Sequence, residues 1–172
     1  MENVLEGKVW KFGANVNTDE IIPAKYLNTT KAEELAAFCM DDTSNEEFKK
    51  SRDNKEIRGS IFVAGEYFGC GSSREHAPIS IKAAGISAII APDFASIFYR
   101  NAINTGLPIF KHVEAAEEIL QGDIVSIDLE KGVIYNKTQD KKYDVVPFTG
   151  IVKEVSECGG LMNYVKKIMN KI

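Results

Sequence analysis

The run Gly69-Cys70-Gly71-Ser72-Ser73-Arg74-Glu75-His76-Ala77-Pro78 gathers hydroxyl, thiol, guanidinium, carboxylate and imidazole groups within ten residues. Glycines on either side of Cys70 let the backbone bend sharply and let another molecule approach closely. Ser72 and Ser73 bring two hydroxyls next to Arg74, whose planar fork suits a carboxylate or a phosphate. A helix starting at this turn would add unpaired N–H groups and partial positive charge. The expected chemistry is an anion site with an activatable hydroxyl inside it. Several familiar motifs are excluded. Gly71 is followed by serine where a Walker loop needs lysine, position 74 is arginine where a dinucleotide fingerprint needs its third glycine, and Glu75 stands where a nucleophile elbow centred on Ser73 needs glycine. Ser72 and Glu75 also have the spacing of a capping box, in which the serine only closes the helix end.

The flanking pattern supplies elements to carry this turn. Residues 61–64 form a short apolar strand before it, and Ile79, Ile81 and Ala83 continue a helix that stops near Gly85. Residues 86–91 are continuously apolar, as in a strand buried on both faces. Phe94, Ile97, Phe98 and Ile103 have helical spacing up to Gly106, residues 107–110 form a short strand, and residues 114–120 a helix. Upstream, residues 9–12 form a strand that leads into an Asn-Thr-Asp turn. Thr30 to Glu33 and Ser44 to Glu47 have capping-box spacing, and Leu35, Ala36, Phe38 and Cys39 continue the first as a helix. Residues 41–58 are strongly polar and predict a surface excursion with one short helix. Residues 123–155 read as a β meander, with alternation at 125–129 and 133–135 and a further strand at 143–146. Leu161, Val165, Ile168 and Ile172 mark a terminal amphipathic helix. Alternating α and β elements followed by a β-rich block predict an α/β layered domain spanning residues 1–172.

Composition narrows the class. A chain of 172 residues suffices for one substantial core. The net charge of −4, with both signs dispersed, argues against a nucleic-acid surface. The first six residues show no basic stretch followed by an apolar run, and no apolar run approaches a membrane span, so the expected location is the cytoplasm. Cys39, Cys70 and Cys158 are widely separated. They suggest neither a disulfide framework nor a zinc site, and they lack the close pair usual in iron–sulfur ligation. No metal ligand set is expected in this chain. Cys39 is expected to pack in the core.

Three segments carry a family resemblance. Residues 65–78, Asn15-Val16-Asn17-Thr18-Asp19-Glu20-Ile21-Ile22-Pro23-Ala24-Lys25-Tyr26-Leu27, and residues 94–108 resemble, in order, motifs of the small subunit of 3-isopropylmalate dehydratase. That family is the separate-chain form of the C-terminal swivel domain of aconitase. The resemblance covers most of residues 8–110. It implies a three-layer β/β/α swivel fold and a hydro-lyase that isomerises 2- and 3-isopropylmalate, by removing and re-adding water, in leucine biosynthesis. It further implies that a 4Fe-4S cluster sits on a large partner subunit and that this chain is active only with that partner.

Carried over position by position, Ser72 is the catalytic base, acting as an alkoxide, and Ser73 and Arg74 hold the substrate. Thr18 and Asp19 support the serine or the arginine, and an Asx-type turn would explain them equally well. Cys70 shapes the turn, and Glu75 acts as reciprocal cap and ion-pair partner. His76 is left outside the catalytic set, and Arg100, near Tyr99, marks a candidate interface. The loop Tyr26-Leu27-Asn28-Thr29 faces the variable group of the substrate in relatives, with Asn28 and Thr29 as contacts. Arginine after Tyr-Leu goes with a third carboxylate, as in homoaconitase. Asn28 stands there instead, which favours a small aliphatic group. The alternatives are a related dehydratase acting on dimethylmalate, citramalate or homoaconitate, and a non-catalytic anion-binding module.

Overall fold

The fold is a computed structural model that describes residues 3–170; Met1, Glu2 and Ile172, which entered the reading above, lie outside the described residues. Its spine is one curled sheet. β1 (Val4–Lys11) is long enough to serve two sets of partners. Its last residues pair in parallel with β2 (Ile61–Val63), which continues in parallel to β3 (Ala88–Ala91) and β4 (Ile109–Lys111). Its first residues pair antiparallel with β5 (Ile124–Asp128), followed by the hairpins to β6 (Val133–Asn136) and β7 (Lys141–Asp144). The order is β4-β3-β2-β1-β5-β6-β7.

Strand periodicity then builds two cores. Val9, Ile61, Val63, Ala88, Ile90 and Phe110 point to one side of the parallel half and meet Val125, Ile127, Ile134 and Tyr143 from the antiparallel half. The alternate residues Trp10, Phe62, Ile89, Ala91 and Ile109 point the other way, into a helical layer. That layer includes α2 (Ala32–Ala36), α3 (Glu46–Asp53), α4 (His76–Ala83) and α5 (Ser96–Thr105). Sheet folded on sheet, with helices behind, is the β/β/α arrangement that the resemblance implies. Residues 86–91 read as one apolar run because β3 is covered on both faces, by the two cores.

Several local expectations are overturned. The polar stretch 41–58 forms its expected short helix at the surface, but two apolar residues tie it to the core: Phe48 and Ile57 are fully buried. The Phe48 ring lies 5.3 Å from Trp10 and 5.6 Å from Phe12 and Phe62, in edge-on contacts. One aromatic residue per helix suffices to anchor it, and charged neighbours hide that from a periodicity reading. Cys39 lies in turns after α2 rather than within a helix, although it is buried as expected. Burial pushes its thiol up to about 12, against the opposing effects of Arg52 and Ser80.

Neither capping box forms as spaced. Lys31 precedes α2 with no side-chain cap, and Thr29 Oγ1 accepts from Lys31 N–H instead. Asn45, not Ser44, caps α3 by accepting from Phe48 N–H. Both are capping residue types, and only Asn45 sits three residues before that donor. The β-rich block also ends early. α6 (Val113–Glu118) precedes it as expected, but residues 150–157 form helix α7 (Gly150–Glu157), whose Ile151, Val152 and Val155 have helical spacing. α8 (Leu161–Met169) follows, and both pack against α5.

Candidate active site

The parallel strands carry their pairing past their formal ends. Phe12 N–H donates to Val63 O, Asn15 N–H to Glu66 O, Gly69 N–H to Val16 O and Thr18 N–H to Cys70 O, at 2.8 Å each. Ala95 N–H then donates to Phe68 O at 2.9 Å, tying in the segment after β3. Three carboxyl-terminal strand extensions thus lie side by side, and α1 (Thr18–Ile21), α4 and α5 follow from them. Crevices outside the carboxyl ends of parallel strands are where α/β sheets place ligands. Asn17 caps α1 by accepting from Glu20 N–H at 2.9 Å and so fixes where Thr18 and Asp19 stand.

Two glycines make the close approach. Gly69 has φ +80°, and a Cβ there would fall 2.2 Å from the Phe98 ring on α5. Gly71 has φ +100°, and a Cβ there would lie 3.1 Å from Thr18 Oγ1. Two non-glycine residues nearby, Asn15 and Tyr67, also occupy the left-handed region, at φ 57° and 58°. Such conformations persist only where surrounding bonds over-determine them.

Ser72 is exposed, and it is held from beneath. Its N–H donates to Thr18 Oγ1 at 3.1 Å, and its Oγ lies 3.1 Å from the same oxygen. Thr18 itself is only 1% exposed. Ser73 is exposed, and its carbonyl accepts from Asn101 Nδ2 on α5 at 3.4 Å. The Arg74 guanidinium forms an ion pair with Asp19 on α1. The Cys70 thiol donates to Asn15 O at 3.4 Å, inside the turn. The fold therefore brings Thr18, Asp19, Cys70, Ser72, Ser73 and Arg74 together.

The capping-box reading of Ser72 and Glu75 is corrected. Helix α4 begins at His76, Glu75 occupies the cap position without a side-chain cap bond, and the Ser72 hydroxyl is engaged by Thr18. Nor is Glu75 an ion-pair partner among the described residues; Asp19 takes Arg74. Ser72 thus lies three residues before the cap, outside the turn where helix-end charge is strong. His76 is half-buried and Arg100 exposed.

Asn28 is exposed on the loop after a 3₁₀ turn (Ala24–Tyr26). The loop is braced from behind: the Tyr26 ring stacks on Phe38 at 3.7 Å, and its hydroxyl donates to Asp41 at 2.8 Å. Leu27 packs against the helical core, and the Thr29 hydroxyl is turned toward Lys31. Sequence reasoning passed over Asn17 and Asn101. Asn17 was legible as a cap three residues before Glu20, whereas nothing local marks Asn101 as the partner of Ser73.

Among the described residues, no group of three or more His, Cys, Asp and Glu side chains is placed to hold a metal ion. No helix there is long and apolar enough to cross a membrane.

Residues 5–114 match the aconitase C-terminal domain model. The 3-isopropylmalate dehydratase small subunits of Caldanaerobacter subterraneus and Aliarcobacter butzleri are each 53% identical to this chain. The first match covers 95% of this chain and 98% of the relative, the second 98% of each. The small subunit of Aquifex aeolicus is 52% identical over 97% of both. A crystal structure of 3-isopropylmalate dehydratase from Methanocaldococcus jannaschii superposes with a TM-score of 0.85, at 45% identity over 98% of each chain. With this fold, a hydroxyl and guanidinium on one turn, and near full-length identity of about half, the chain belongs to the family of 3-isopropylmalate dehydratase small subunits built on the aconitase C-terminal domain.

Proposed function

We propose that this chain is the small subunit of a cytoplasmic 3-isopropylmalate dehydratase of leucine biosynthesis, contributing the base and the carboxylate contacts of a shared active site. The observation that carries this reading is that one turn holds Ser72 by Thr18 and Arg74 by Asp19, two neighbouring residues of α1. Interconverting 2- and 3-isopropylmalate requires removing a proton from a carbon next to a carboxylate, and returning it on the opposite step. Ser72 Oγ is the group that takes and returns that proton. Arg74, pinned at one nitrogen by Asp19, keeps the remaining N–H groups of its fork for a substrate carboxylate. Among the described residues the Ser73 hydroxyl has no partner at the same surface, and Asn101 holds its backbone carbonyl.

The other half of the chemistry belongs to a large partner subunit, where a 4Fe-4S cluster is the expected Lewis acid for the leaving hydroxyl. The exposure of Ser72 and Ser73 fits a turn that a second polypeptide must cover. Covering it excludes water, and desolvation alone would make a serine harder to ionise. The donors around Ser72 must therefore hold the alkoxide directly.

Reconstitution tests the assignment. This chain alone should show no turnover. Mixed with its iron–sulfur subunit, it should turn over 3-isopropylmalate with kcat/KM at least ~10-fold above dimethylmalate, citramalate or homoaconitate, the discrimination expected from a pocket contact worth about 1.4 kcal/mol or more. Preference for one of the other acids would overturn the substrate assignment.

A further inference from the structure

We infer that Thr18 is the positioning residue that makes Ser72 a base, by donating its hydroxyl proton to Ser72 Oγ; this rests on the reading of Ser72 given above. The 3.1 Å distance allows either hydroxyl to donate, and the partners of Thr18 Oγ1 favour the threonine as donor. Thr18 Oγ1 has two polar neighbours among the described residues, the Ser72 N–H and the Ser72 Oγ, each at 3.1 Å. Toward the N–H it can only accept. Its own proton then has one acceptor, Ser72 Oγ. Thr18 is 1% exposed, so water does not compete for that proton, and leaving it unpaired would be costly. Threonine at the first helical residue of α1 also has no carbonyl of a preceding helical turn to bond.

This direction has a consequence for acidity. The Ser72 hydroxyl proton is not committed to Thr18 and is free toward the open side of the turn. A donor already aimed at the oxygen stabilises the deprotonated form more than the neutral one. The support is rigid. Thr18 N–H donates to Cys70 O at 2.8 Å, and Ile22 N–H donates to Thr18 O at 2.9 Å, so the threonine is clamped to both the turn and α1. Gly71 leaves the room for the approach. With Ser72 three residues before the α4 cap, the threonine donor takes the place of a helix-end field. The charged and titratable groups on the elements around Ser72 are Asp19 and Glu20 on α1, Cys70, Arg74 and Glu75 on the turn, His76 and Lys82 on α4, and Tyr99 and Arg100 on α5. Glu20 is raised by burial and then by Asp42. The test variants leave all of these unchanged.

The experiment compares Thr18→Val and Thr18→Ser in the enzyme reconstituted with its large subunit, reading kcat and KM for 3-isopropylmalate from pH 6 to 10. Thr18→Val should lower kcat about 10–100-fold, the range for losing a hydrogen bond to a charged group. It should move the acidic limb of the kcat profile to higher pH by about one unit or more and leave KM within about 3-fold. Thr18→Ser should restore the wild-type profile. In a Ser72→Ala background Thr18→Val should cost nothing further, because its effect runs through that oxygen. If Thr18→Val does not assemble, Thr18→Ala against Thr18→Ser carries the same comparison. An unshifted limb, or a loss that Thr18→Ser does not rescue, overturns the inference. If Ser72→Ala itself retains activity, the reading of Ser72 fails instead, and the two failures are distinct.

Discussion

At the scale of single residues, the site divides between groups on one turn and groups that reach it from elsewhere. On the proposed reading Asn28 is of the second kind. It is exposed on a loop whose back is fixed by Tyr26 on Phe38 and Asp41, so its side chain can change without disturbing the core. Asparagine offers no fixed positive charge to a third carboxylate. Asn28→Arg should therefore raise kcat/KM for homoaconitate by about 10-fold or more, the scale of one charge-assisted contact, and lower it for 3-isopropylmalate. Steady-state kinetics on both acids checks this; no gain on the tricarboxylate would show that the loop does not select the substrate. The Ser72, Ser73 and Arg74 group was legible because its chemistry is contiguous in sequence. The same contiguity misled the reading of Glu75, where three-residue spacing suggested a cap. The serine hydroxyl is claimed by a threonine 54 residues away, and only the fold brings that competitor near.

At the scale of elements, the turn depends on how closely α5 passes beneath it. Gly69 sits against the Phe98 ring, which packs edge-on to Phe68 at 5.3 Å and in parallel with Phe94 at 6.3 Å. Gly69→Ala adds a clash with that ring and a left-handed alanine. It should destabilise by about 2–4 kcal/mol, a melting-temperature drop of roughly 5–15 °C. Gly13→Ala, with nothing within 4 Å of its Cβ, should stay within about 0.5 kcal/mol. Thermal denaturation of the two variants is the check, and equal effects would contradict the packing argument. Elements with one dominant pattern were legible: the buried run of β3, and α5 up to Gly106. α7 was not, because its short helical pattern follows a strongly alternating block and was absorbed into it. α3 was recognised as a helix, but its single buried aromatic could not reveal its depth.

At the scale of the molecule, β1 is the axis. Its two ends serve a parallel and an antiparallel half, and the curl between them encloses one core while the helices cover the other. The carboxyl ends of the parallel strands then emerge together, which lets residues 15–19 and 69–74 share one surface. That surface holds a serine, an arginine and their braces, and no group of side chains suited to a metal among the described residues. On the proposed reading it is one half of a divided active site. The most direct test is Ser72→Ala in the reconstituted enzyme, with assembly measured by co-elution with the large subunit and turnover on 3-isopropylmalate. Intact assembly with turnover reduced by at least 10²–10⁴-fold is the expected result. A variant that assembles and keeps near-normal turnover would contradict the assignment of Ser72 as the base.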